Sequence, residues 1–220
     1  MVTSTCRTSL SDHNDPYDSP PEDPHPMSLG DQIVNTRCPS IFDDRDFFPN
    51  GSVSELLNKE NIRTELSVGS EELITFIHTR AQKSFAITLA SGISGPVLRD
   101  AMKTFQRYGF TDQYLPISEE MSHCYLENRL CSHRRALNAF HRKPWNGVRL
   151  SNFYDIQWKF LSPVFTRDAF RHEFSSHCIL PFIGMDMTAR SGTFSQVFKV
   201  KIHKDHQKVF ATVWATYMKN

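Results

Sequence analysis

Gly192, Thr193, Phe194 and Ser195, followed by Gln196 and Val197, form the stretch with the most recognisable chemical geometry. They separate an apolar run, Cys178-Ile179-Leu180-Pro181-Phe182-Ile183, from a segment that alternates: Phe198, Val200 and Ile202 on one face, Val197, Lys199 and Lys201 on the other. Period-two alternation with β-branched and aromatic residues is a strand signal, so residues 178–203 read as strand, tight turn, strand. A turn of small residues lets backbone N–H groups approach a polyphosphate closely. The same residues also suit an ordinary hairpin.

Other reactive side chains group less well. His123, Cys124, Cys131 and His133 place four metal-compatible ligands close together, but compact zinc sites set paired ligands on either side of a loop of about a dozen residues. No metal is expected. The cations Arg134, Arg135, Arg142 and Lys143 could touch phosphates, yet lack an interleaved aromatic platform and read as a solvated helix face. Neither Cys124 nor Cys131 has the context of a nucleophile, and no paired carboxylates or Ser/His/Asp arrangement stands out.

The elements that must position these groups are mainly helical. Ser52-Val53-Ser54-Glu55 has the spacing of a capping box, so ordered structure is expected to begin there with a short helix. Leu73, Ile77, Ala81, Phe85 and Leu89 recur every four residues, which predicts one helix from Ser70 to Ala90, ended by Ser91-Gly92. Gly95-Pro96 opens the next, with Val97, Leu98, Ala101, Met102, Phe105 and Tyr108 on one face and Gly109 just beyond. Ser151 is expected to cap a helix over 152–161 whose aromatic residues wrap around more than one face.

Residues 1–50 carry seven of the twelve prolines and nine acids against three bases. Such a segment buries too little apolar area to offset the entropy of ordering it, so it reads as a disordered acidic arm, with a Ser19-Pro20 step that could be modified. The predicted organisation is therefore an arm at 1–50, a helical region at 51–175 and a small antiparallel β unit at 176–220. A net charge of +1 gives no bulk electrostatic case for nucleic acid or an anionic membrane. Five cysteines without framework spacing fit free thiols, and the absence of a long apolar run predicts an intracellular chain, cytoplasmic or nuclear.

The Gly192–Val197 stretch resembles the second half of the glycine-rich loop of protein kinases, with Phe194 at the loop tip and Val197 where that family places the valine above adenine. The family's first and third glycine positions are Arg190 and Ser195 here. Together with Asn152–Phe165, Ile179-Leu180-Pro181-Phe182-Ile183, Ala81–Ile87 and Tyr108–Asp112, the loop is similar to fungal serine/threonine kinase-like proteins that lead from a helical region into a kinase N-lobe. The resemblance implies ATP contacts from Gly192, Thr193, Phe194, Ser195 and Val197. It also implies a phosphotransferase whose machinery this chain lacks. Val213 stands where the strand lysine belongs, and neither His-Arg-Asp nor Asp-Phe-Gly occurs. The expectation is a truncated kinase-like chain, inactive by itself. The alternative is a non-catalytic helical module that binds a protein partner.

Overall fold

The computed structural model describes residues 27–67, 69–118, 134–166, 173–191, 196–208 and 214–219. The architecture is mainly helical with two small antiparallel sheets, as the sequence predicts. The order is α1 (Leu29–Asn35), β1 (Cys38–Pro39), β2 (Asp46–Phe47), α2 (Ser52–Leu56), α3 (Lys59–Leu66), α4 (Glu71–Arg80), α5 (Gln82–Ala90) and α6 (Gly95–Tyr108), then α7 (Arg134–Leu137), α8 (Gly147–Phe160), β3 (Phe182–Ser191), β4 (Gln196–Ile202) and β5 (Trp214–Lys219).

The helical core closes around Phe105 on α6. Its ring stacks on Trp145 at 5.3 Å and meets Phe110 at 4.6 Å, Phe140 at 5.2 Å and Phe153 at 6.2 Å. Each buried aromatic contributes about 1.5–3 kcal/mol through area removed from water. As expected, α6 starts at Gly95, buries Leu98, Ala101, Met102 and Phe105, and ends at Gly109, whose φ of 73° is a left-handed cap.

The helix predicted over 70–90 is two helices. Leu73, Ile77, Ala81, Phe85 and Leu89 are all buried, as their spacing predicts, but the axis breaks at Ala81, with φ −140° and ψ 32°. The restarted α5 is capped from a distance. The Asp112 carboxylate accepts from the Lys83 N–H at 2.9 Å, the Ser84 N–H at 2.8 Å and the Ser84 hydroxyl at 2.7 Å. Ser84 to Leu89 are buried without interruption, so α5 runs through the middle of the layer while Asp112 satisfies the N–H groups at its start.

Two expected caps are also replaced. α2 begins after Gly51, at φ 93°, and the Ser52 hydroxyl donates back to the Pro49 carbonyl instead of forming a capping box. α8 begins at Gly147, four residues ahead of Ser151, because the Asn146 side chain accepts from the Arg149 N–H at 2.9 Å.

The expectation of an unpacked arm to residue 50 is corrected for residues 29–50. Ser28 caps α1, Leu29 and Ile33 enter the helical core, and Phe48 stacks on Phe160 at 4.1 Å. The β1–β2 ribbon then leads the chain to the C-terminal sheet, where the Ile41 N–H donates to the Phe182 carbonyl and the Ser40 hydroxyl to that of Leu180. The segment is acidic and proline-rich, yet Leu29, Ile33, Phe47 and Phe48 are buried.

Replacing Asp112 with Ala removes three acceptor contacts from the start of α5. Unfolding in urea is expected to show a loss of about 1–3 kcal/mol, with Asp112→Asn losing less. Equal midpoints for Asp112→Ala and the parent chain would contradict the capping role.

Candidate functional site

β3 and β4 pair antiparallel, with Phe182 opposite Ile202, Met185 opposite Val200, Asp186 opposite Lys199, Arg190 opposite Val197 and Ser191 opposite Gln196. β5 adds to the other edge of β4, placing Met218 opposite Val197 and Ala215 opposite Val200. β4 is thus the central strand. Val200 and Ile202 are buried with Leu180 and Phe182, while Lys199 and Lys201 are exposed, as the alternation predicts. Of the residues expected to touch nucleotide, Val197 is the second residue of the central strand, and Gly192, Thr193, Phe194 and Ser195 lie outside the described residues. Val213 and the four zinc candidates His123, Cys124, Cys131 and His133 lie outside them too.

Past β4 the chain makes a single 3-10 turn, Lys204–His206, and brings together a group that no sequence spacing links. His203 Nε2 is 3.9 Å from Cys38 Sγ, and His203 Nδ1 is 3.7 Å from an Asp205 carboxylate oxygen. Cysteine, histidine and aspartate in that order suggest nucleophile, base and orienting carboxylate. Proton placement argues against it. Nδ1 accepts the Asp205 backbone N–H at 3.3 Å, whereas the Asp205 carboxylate is beyond hydrogen-bonding reach, so the ring proton sits on Nε2, facing the sulfur. That nitrogen has no lone pair to take a thiol proton.

The electrostatics agree. Burial, followed by Asp205 and Asp46, pushes the Cys38 thiol up from its ordinary value. Burial pushes His203 down, with Asp205 opposing and Lys204 assisting. Both shifts favour a neutral thiol beside a neutral imidazole, the reverse of an activated thiolate–imidazolium pair. Among the described residues no three His, Cys, Asp or Glu side chains converge as a ligand set for a metal.

His206, three residues on, is 1% exposed and joins the layers. Its Nε2 accepts the Asn50 N–H at 3.0 Å, and its Nδ1–H donates to the Pro163 carbonyl at 2.9 Å. Phe47, fully buried, meets His203 and His206 edge-on at 5.7 and 5.2 Å. Burial pushes His206 below its ordinary value, against the opposing pull of the Pro163 and Phe48 backbone. Arg45 completes the seam, pairing with Asp43 and donating at 3.0 Å to the carbonyls of both His177 and Cys178.

Of the predicted cationic cluster, the side chains of Arg134 and Arg135 lie outside the described residues. Arg142 donates to the Tyr108 hydroxyl at 2.9 Å and His141 is exposed, while Lys143 joins Lys103, Arg107 and Arg149 around a groove of about 700 Å³ between α6 and the start of α8. The i,i+4 spacing of Lys103 and Arg107 marks one wall in the sequence. Nothing in the sequence pairs that wall with Arg149.

No family model matches the sequence, and no curated protein or solved structure matches it. Among the described residues no helix is long and apolar enough to cross a membrane.

Two measurements bear on the seam. Native-state alkylation by iodoacetamide near neutral pH, resolved by peptide mass spectrometry, is expected to be slower at Cys38 than in the unfolded chain; faster reaction there would mean an activated thiolate. For His206 the folded state favours the neutral ring, so its stabilisation is full above about pH 6.5 and is lost as the pH falls through the depressed folded value. His206→Gln should flatten the decline in unfolding free energy below pH 6.5 by up to about 1.4 kcal/mol per pH unit. An unchanged slope rules out His206 as the titrating group.

Proposed function

We infer that this chain is a kinase-like polypeptide in which a helical region is built onto the first three strands of a nucleotide-covering sheet, and that by itself it holds ATP weakly without transferring phosphate. One observation carries the reading: β3, β4 and β5 form a consecutive antiparallel meander in which β3 ends at Ser191 and β4 begins at Gln196, with Val197 the second residue of the central strand. That is the position the family resemblance gives to the residue above adenine. Gly192, Thr193, Phe194 and Ser195 would offer backbone N–H groups to the phosphates, and Val197 an apolar roof.

Phosphoryl transfer depends on positioned charge and metal ions. His-Arg-Asp and Asp-Phe-Gly are absent from the 220 residues, and Val213 cannot contact phosphate as a lysine does. The inferred role is therefore contact with ATP rather than turnover. In a complete relative, the activity would be ATP-dependent phosphorylation of serine or threonine.

Ligand at a concentration equal to its dissociation constant stabilises a fold by only about 0.4 kcal/mol, so backbone amide resonances are a better probe than melting. Titrating magnesium ATP is expected to move the amides of Gly192 to Val197 saturably in the millimolar range, with no phosphate passed to a serine peptide. Unmoved amides in a folded chain would favour the helical interaction module, and measurable phosphate transfer would overturn the inactive assignment.

A further inference from the structure

The groove beside Trp145 has no part in the nucleotide reading, yet its lining is strongly charged. Lys103 and Arg107 stand one turn apart on α6, Lys143 comes from the turn before α8, and Arg149 from the first turn of α8. Asp100 is the one acid among the lining residues. Among the described residues, no carboxylate lies within ion-pair distance of any of the four cations. Four like charges facing one space raise the local positive potential, with Asp100 the one opposing charge in the lining.

The walls are held in place before any ligand arrives. Arg149 donates to the Pro144 carbonyl, which fixes its guanidinium at the rim. Thr104 Oγ1 lies 2.8 Å from the Asp100 carbonyl and 3.4 Å from that of Lys143, and Arg142 bonds Tyr108, so α6 and the turn are tied on both sides of the groove. Trp145 also lines it, is only 2% exposed, and its indole N–H has no acceptor. The amino end of the 14-residue α8 adds the positive end of a helix dipole, with open space at Gly147.

We propose that this groove binds a compact polyanion carrying two or more linked phosphate groups, with Lys103, Arg107, Lys143 and Arg149 as its cationic contacts. The volume suits a small molecule. Lysines supply mobile point charges and Arg149 a positioned fork, the combination that matches phosphate oxygens. Nucleic acid is disfavoured because Trp145, the only aromatic lining residue, is too buried to stack on bases. Recognition rests on the phosphates and not on a base.

The test uses the full chain and sodium pyrophosphate at low salt, followed by backbone amide shifts. Saturable movement of residues 103–107 and 143–149 is expected, with the Gly192–Val197 amides unaffected, so the groove and the hairpin report separately. Lys103 and Lys143 are exposed and make no ion pair among the described residues, so Lys103→Gln with Lys143→Gln should melt no lower than the parent chain without ligand while weakening pyrophosphate binding at least tenfold. Arg149→Gln should weaken it as well. Sulfate at matched ionic strength is expected to bind far more weakly, and ATP no more than a few times more tightly than pyrophosphate. The proposal is overturned if pyrophosphate leaves these amides unmoved, if the double variant binds undiminished, if sulfate binds equally well, or if ATP binds more than tenfold more tightly, which would place recognition on the base.

Discussion

A single neutral imidazole holds the helical layer and the C-terminal sheet in register. His206 follows β4, yet its ring lies between the Pro163 carbonyl beyond α8 and the Asn50 N–H ahead of α2. The connection is directional, with a donor on one nitrogen and an acceptor on the other, and the His206 ring is buried, so leaving either nitrogen unpaired would cost about 1–3 kcal/mol. Around it the backbone follows suit: Phe165 donates to the His206 carbonyl, Lys208 to that of Phe165, and His203 to that of Pro181. Phe47 fills the space between the two histidines, so the ribbon from residue 38 to 47 is the packing between layers.

The same exclusion of water that favours a neutral His206 governs the chemistry of its neighbours. Cys38, His203 and Asp205 have the composition of a nucleophilic site, but a turn hydrogen bond at Nδ1 sets the tautomer, and burial with nearby carboxylates keeps the sulfur protonated. Distances alone would have suggested catalysis. The proton inventory gives a structural joint instead, and it shows why a constellation of reactive types must be read with its desolvation and its backbone partners.

Charge is distributed in a way the near-neutral total conceals. The acids concentrate in the first fifty residues, where Asp46 lies within 3.8 Å of Arg37 and Asp43 pairs with Arg45. On the sheet, Lys199 and Lys201 alternate with buried Val200 and Ile202, and Lys199 stands opposite Asp186. Between α6 and α8 the cations share a concave space, where like charges raise the local potential and an anion is the natural complement.

Local periodicity was enough to find α6, the apolar face running from Leu73 to Leu89, and β3 with β4, because each depends on neighbours within a few residues along the chain. It could not reveal the break at Ala81, which requires Asp112 to reach back to Lys83 and Ser84, nor the packing of Phe47 and Phe48 from a segment whose composition reads as unfolded. The meeting of Cys38 with His203, and of Lys143 with Lys103, was equally out of reach. Sequence by itself determined which faces are apolar and where strands alternate, since those are set by side-chain type at a fixed repeat. Tertiary structure alone decided which distant polar groups share a dry environment, because desolvation and hydrogen-bond pairing belong to the packed chain and to no segment of it.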